Sequence, residues 1–109
     1  MLDLSVFKEQ YFELKLFDGE VLKLKKPTQR MVIEMMAYEQ TFKDKKNHKN
    51  IEIMVDTFSQ MIVDILNNNA NEREFTKQFV EENFDFTLGL TLVQAYMNFV
   101  QEVNSNPNL

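Results

Sequence analysis

The chain of 109 residues has few of the residue types on which whole classes of site depend. It has no cysteine, so disulfide bonds and thiolate metal sites are excluded, and a reducing compartment is expected. Its two glycines are too few for a glycine-rich loop that cradles phosphate. No apolar run approaches the roughly 18 residues of a membrane span. The first ten residues, MLDLSVFKEQ, also lack the features of a signal peptide, so we expect a soluble cytosolic protein.

Reactive side chains are equally sparse. His48 is the only histidine, and it lies in the basic segment KDKKNHKN, where neighbouring positive charge disfavours a protonated imidazole and no second metal ligand is near. An acidic cluster near a predicted helix junction is interpreted as a solvated helix end; it contains Glu81, Glu82 and Asp85. We therefore expect no enzyme activity, no catalytic residue, no cofactor and no metal site.

Charge is distributed unevenly along the chain, whose net charge is −5. Residues 1–50 contain ten basic and eight acidic side chains, whereas residues 51–109 contain two and nine. This asymmetry is compatible with head-to-tail packing of copies, and equally with ordinary variation in surface charge. The overall acidity argues against binding to a phosphate backbone, which needs a basic face.

The segment FELKLFDGEVLKLKKPT, residues 12–28, predicts a β-hairpin. Two alternating apolar and polar runs flank Asp18-Gly19, and a three-residue loop 17–19 ending in a left-handed glycine gives matched pairs across the strands. A two-residue loop would instead place leucine opposite lysine, so we prefer the three-residue register. The predicted pairs are Phe12 with Leu24, Glu13 with Lys23, and Leu14 with Leu22.

The rest of the chain predicts helices in a single domain, residues 1–109. Pro27 ends the second strand, and Thr28 and Asn50 are the expected N-caps of the first two helices. The predicted elements are a hairpin at 12–25, helices at 29–43, 51–67, 76–83 and 86–103 within a helical part at 29–103, and a disordered tail at 104–109. The fold class is mainly α, an N-terminal β-hairpin followed by three to four helices in a small bundle. The run NNNANE between the second and third helices is interpreted as loop composition without a function.

Two helices carry more apolar surface than a peripheral helix needs. The first has two apolar stripes, and the last is apolar over about 200° of its circumference. Either both helices are central in the fold, or one of them presents a protein-binding surface rich in adaptable methionine side chains. The predicted core residues are Leu14, Leu22, Leu24, Met35, Tyr38, Phe58, Ile62, Ile65, Val93, Tyr96 and Val100. The predicted partner-binding residues are Val32, Met36, Leu88 and Phe99.

The segment FELKLFDGEVLKLKKPTQRMVIEMMAYEQ resembles the opening of the tail assembly chaperones of long-tailed phages and prophages of Gram-positive bacteria, in which an LxLxDGxxxxLKxPT hairpin leads into a helix. The later segment FTKQFVEENFDFTLGLTLVQAYMNFVQEV is similar to the ending of that family, a short helix followed by a long one with an xQAxxxF-like face. The resemblance covers residues 12–103.

The resemblance implies a function that needs no reactive group. Such chaperones coat the hydrophobic, coil-prone tape-measure protein in the host cytoplasm, recruit tail-tube subunits, self-associate, and are displaced as the tube polymerises. It implies that this protein binds the tape-measure protein and the tail-tube protein, resides in the host bacterial cytoplasm and is absent from the mature virion. The overall acidity and the lack of a long apolar run lead us to expect binding to neither nucleic acid nor membrane. The hairpin, in this interpretation, packs its apolar face on the helices and offers its free edge to another chain.

Two other functions remain open from the residues alone. A small helical regulator or adaptor would bind one folded protein partner in a one-to-one complex. A nucleic-acid binder would use Lys43, Lys45, Lys46 and Lys49 and would lose affinity steeply with salt.

Overall fold

The computed structural model describes residues 1–4, 10–44 and 50–105. These residues form a hairpin followed by four helices, which confirms the predicted fold class. Its elements are β1 (Tyr11–Lys15), β2 (Val21–Lys25), α1 (Gln29–Lys43), α2 (Ile51–Asn67), α3 (Lys77–Asn83) and α4 (Phe86–Ser105). The last helix ends two residues later than predicted, so Asn104 and Ser105 are helical rather than part of a disordered tail, and residues 106–109 lie outside the described ranges.

The hairpin has the predicted three-residue loop. Phe12 pairs with Leu24, Glu13 with Lys23 and Leu14 with Leu22, as cross-strand chemistry predicts; these are the pairs of an antiparallel ladder. The N–H of Gly19 donates to the carbonyl of Leu16 at 3.0 Å, and Gly19 has φ +91°, the left-handed region that favours glycine.

Side-chain caps define where the helices begin. The hydroxyl oxygens of Thr28 and Thr76 and the amide oxygen of Asn50 each accept a backbone N–H three residues later, at 3.1 to 3.2 Å. Asp85 caps α4 in the same way, because its carboxylate accepts the N–H of Leu88 at 2.7 Å. The carboxylate of Asp85 is therefore a structural cap.

The core lies around α2, which packs against α1, α3, α4 and β2. Seven of the predicted core residues are buried, namely Leu22, Leu24, Met35, Ile62, Ile65, Tyr96 and Val100. The other four are only partly buried and pack against that core, namely Leu14, Tyr38, Phe58 and Val93. The central helix is therefore α2, and α1 and α4 flank it, each with one face left for solvent or a partner.

The asparagine-rich loop after α2 covers the outer edge of β2. The N–H of Lys25 donates to the carbonyl of Asn68 at 2.7 Å, and the N–H of Ala70 donates to the carbonyl of Lys23 at 2.8 Å. The side chain of Asn71 also accepts the N–H of Lys23, at 2.9 Å. Interpreting this run as loop composition alone missed its role, because it makes an isolated antiparallel bridge from Asn69 to Leu24 and hydrogen bonds along the edge of β2.

Two asparagine side chains extend that attachment to the helices. The amide of Asn68 donates to the carbonyls of Lys25 and Lys26 at 3.0 and 3.2 Å, and the Tyr96 hydroxyl of α4 donates to the same Lys25 carbonyl at 2.7 Å. Asn69 is buried and makes four hydrogen bonds, one to the carbonyl of Leu66 in the last turn of α2 and three within its own loop. The hairpin is thus held between the loop and α4, which a two-stranded sheet needs in order to be stable.

Candidate functional site: two apolar grooves

A groove of about 360 Å³ runs between α1, α2 and α4. We call it the methionine groove, because four of the seven methionines of the chain line it. Its lining residues are Pro27, Val32, Met35, Met36, Glu39, Met61, Val93, Met97, Val100 and Gln101. Methionine is unbranched and polarizable, so a surface built from it can repack against partners of different shape.

The α1 side of the groove arises from the two stripes of that helix. Met31 and Met35 are 8% and 6% exposed and face the core, whereas Val32 and Met36 are 37% and 63% exposed. One step along a helix rotates a side chain by about 100°, so Val32 and Met36 are turned toward solvent while Met31 and Met35 are turned toward the core. The structure therefore brings Val32 and Met36, two of the predicted partner-binding residues, into one open groove.

The floor of the groove comes from α2 and α4. Met61 of α2 is buried, and Val93 and Met97 of α4 are partly buried. Met61 and Met97 were absent from the predicted binding residues. For Met97 the signal was the wide apolar arc of the last helix. Met61 lies on α2, and the apolar pattern of that helix does not distinguish a groove residue from a core residue.

Polar groups lie at the edges of the groove rather than in its floor. Glu39 lies at one end and forms an ion pair with Lys43 at 3.0 Å, the two side chains being one helical turn apart. On the same helix Tyr38 donates to the Asp64 carboxylate of α2 at 2.7 Å. Burial, and next the Asp64 carboxylate, raise the pKa of Tyr38 to about 12, so this hydroxyl stays protonated at neutral pH and ties α1 to α2.

A second, smaller groove of about 150 Å³ lies between the hairpin and α4. We call it the hairpin groove. It is lined by Phe12, Leu14, Lys15, Leu16, Phe17, Phe84, Leu88, Thr91, Leu92 and Ala95. Leu88, another of the predicted binding residues, is 38% exposed and belongs here, so it lies in a different groove from Val32 and Met36.

Phe99, the fourth predicted binding residue, lies in neither groove. It is partly buried, and its ring packs edge-on against Phe12 of the hairpin, with ring centroids 5.8 Å apart. It also contacts the ring of Tyr96, 5.9 Å away. Phe99 therefore fastens the hairpin to α4, and its position is that of a packing residue.

The basic linker is described only in part. Lys43 forms the ion pair with Glu39, whereas Lys45, Lys46, Lys49 and His48 lie outside the described residues. Among residues 1–4, 10–44 and 50–105, no three His, Asp or Glu side chains are grouped as a metal ion would require. No helix in those ranges is both long and apolar enough to cross a membrane.

Comparison with known proteins provides no family for this chain. No family model, no curated protein and no solved structure matches it.

Proposed function

We propose that this protein is a tail assembly chaperone of a long-tailed phage or prophage, which binds and solubilises the tape-measure protein and helps to recruit tail-tube subunits. The methionine groove is the observation that carries the proposal. It offers an apolar, adaptable surface on a small protein, and such surfaces usually bind other proteins. The resemblance of residues 12–103 to that chaperone family supplies the identity of the partner.

The shape of the groove suits one apolar face of a helix. The groove lies between three helices, α1, α2 and α4. An amphipathic helix that binds in such a groove presents apolar side chains three and four residues apart. A coil-prone tape-measure protein has such stripes repeatedly, so several copies of the chaperone can bind along it. The four methionine side chains allow each copy to accept a different stretch of sequence.

Displacement of the chaperone during tube assembly requires moderate affinity. The groove is open to solvent, and Met36 is 63% exposed before any partner binds. Much of the free energy of such contacts offsets the loss of motional freedom on binding, and only the remainder appears as affinity. A complex held by many weak contacts therefore has an affinity low enough for tail-tube subunits to displace the chaperone. Self-association along the tape-measure protein belongs to the same proposal, as do residence in the host cytoplasm and absence from the mature virion.

Co-expression tests the proposal. The chain is produced together with the product of the longest reading frame downstream of its gene, and the solubility of that long protein is measured. We expect the long protein to become soluble and to co-purify with several copies of this chain. If it stays insoluble while this chain purifies alone as a monomer, the proposal is wrong. A one-to-one complex with a folded partner would favour a regulator instead.

A variant pair links that result to the methionine groove. The double variant Val32→Ser/Met36→Ser is expected to lose solubilisation, because both side chains line the groove. The matched control is Ile33→Ser, which removes a side chain that is 59% exposed on the same helix and does not line the groove. The control should solubilise as the wild type does. Equal loss in both would mean that the groove is not the site.

A further inference from the structure

The outer edge of β1 is open at Glu13 and Lys15 in the part of the chain that the structure describes. The N–H of Leu16 donates to the carbonyl of Glu20 at 2.8 Å, so Leu16 and every second residue before it point their backbone groups toward β2. The intervening residues Glu13 and Lys15 point theirs away from β2. Within the described part of the chain, those outward N–H and C=O groups of Glu13 and Lys15 have no partner.

The outer edge of β2, by contrast, is covered by hydrogen bonds from the rest of the chain. The outward backbone groups of β2 at Val21, Lys23 and Lys25 are bonded by the asparagine-rich loop and by Tyr96. The hairpin groove lies beside the open edge and is lined by the inward side chains of β1 and by α4. An added strand would therefore gain backbone hydrogen bonds from β1, and its inward side chains would reach an apolar groove.

We infer that the occupant of this edge is β1 of a second copy, paired antiparallel about a two-fold axis at Leu14. This register places Glu13 of each copy opposite Lys15 of the other, so two pairs of opposite charge form on the solvent face. Because Glu13 and Lys15 both point outward, each pair exchanges two backbone hydrogen bonds. On the inner face, Leu14 meets Leu14 of the second copy beside the hairpin groove. The product is a continuous four-stranded sheet.

The charge pattern selects this register over its neighbours. A two-fold axis at Glu13 or at Lys15 would place like charges opposite each other, and like charges directly opposite destabilise a strand pair. The proposed contact is a single strand pair, whereas a stable dimer buries about 1,200–2,000 Å². The dimer is therefore weak and depends on concentration. The inference rests on the self-association in the proposed function and names its surface.

Charge reversal with rescue tests the inference. The mass of the isolated chain is measured by sedimentation equilibrium over a wide range of concentrations. Lys15→Glu turns both opposite-charge pairs into pairs of glutamates. It should raise the dissociation constant of the dimer about tenfold or more, because like charges directly opposite each other destabilise a strand pair. The double variant Glu13→Lys/Lys15→Glu restores opposite charges and should recover dimerisation. The matched control Lys25→Glu makes the same charge change on the covered strand and should leave the dissociation constant unchanged.

A cysteine variant tests the register separately. The chain has no cysteine, and a non-hydrogen-bonded pair on a two-fold axis has Cα atoms about 4.5 Å apart. That distance is within the range of a disulfide, so Leu14→Cys should form a covalent dimer on oxidation, whereas Lys25→Cys should not. A chain that is monomeric at every concentration, or a dimer unaffected by Lys15→Glu, would overturn the inference.

The outcomes separate this inference from the proposed function. The open edge and the methionine groove use different residues, so Lys15→Glu should dimerise more weakly and still bind the tape-measure protein. If the Val32→Ser/Met36→Ser variant dimerises normally and fails to solubilise, the two surfaces act independently. If the wild type dimerises through β1 and never solubilises the long protein, the inference stands and the proposed function is wrong.

Discussion

Serine substitutions at two adjacent methionines of α1 should have very different effects on stability. Met35 is 6% exposed and Met36 is 63% exposed. Burying a methionine fully is worth about 1.5–3 kcal/mol, so Met36, which is about one-third buried, should lose about 0.5–1 kcal/mol on replacement. Met35→Ser removes a core side chain, and such truncations cost about 2–5 kcal/mol. The change in helix propensity is the same at both positions and cancels.

The free energies of unfolding should therefore differ by about 2 kcal/mol between the two variants. For a domain of about 100 residues this corresponds to melting temperatures roughly 8–16 °C apart. Thermal unfolding followed by circular dichroism at one protein concentration and one pH measures the difference. A melting temperature of Met36→Ser as low as that of Met35→Ser would show that Met36 is a core residue, and the groove would then not be open.

Three further predictions concern contacts outside the grooves. Asn69→Ala should lower the free energy of unfolding by about 2–4 kcal/mol in urea titrations, because it leaves several polar groups of a buried turn without partners; an unchanged midpoint would contradict this role. Gly89→Ala should destabilise by about 1 kcal/mol rather than gain helix propensity, because a Cβ there would lie 2.8 Å from the Phe58 ring; a raised melting temperature would contradict this. The pKa of Tyr38 is raised to about 12 from an ordinary 10.0, first by burial and then by Asp64, so its stabilising contribution is present below pH 10 and is lost as the pH rises toward 12. In Tyr38→Phe the free energy of unfolding should fall less steeply between pH 10 and pH 12 than in the wild type. The same slope in both proteins would refute the assignment.

Local chemistry explains why the hairpin and the helix ends could be predicted. Asp18-Gly19 specifies a tight loop, and the pairing of Glu13 with Lys23 decides between two registers, so the information lies within about ten residues. The caps Thr28 and Asn50 directly precede the helices that they start. Such signals depend on neighbours along the chain and need no knowledge of the tertiary structure.

The asparagine-rich loop could not be predicted because its partners are distant in sequence. Asn68 bonds the carbonyl of Lys25, 43 residues away, and an asparagine has no apolar periodicity that would indicate a partner. The same amide side chain suits a solvated loop and a buried one. Only the packing of the hairpin on α2 and α4 shows whether this loop is solvated or buried.

The candidate site was predictable on one helix and not across helices. The two stripes of α1 indicated that Met35 would be buried, and the structure confirms this, with Val32 and Met36 on the open side. The neighbours of that stripe depend on how α2 and α4 are arranged, which periodicity does not encode. For that reason Met61 and Met97 were missed, and Leu88 was grouped with residues that lie in a different groove.

Methionine methyl signals provide the most direct test that the methionine groove binds the tape-measure protein. The chain is labelled with ¹³C at its methionine methyl groups, and its NMR spectrum is followed as the tape-measure protein is added. We expect the groove methionines to shift; these are Met35, Met36, Met61 and Met97. Met31 and Met54, which do not line the groove, should stay unchanged. Shifts confined to Met31 and Met54, or no shift in the groove set at saturation, would contradict the account.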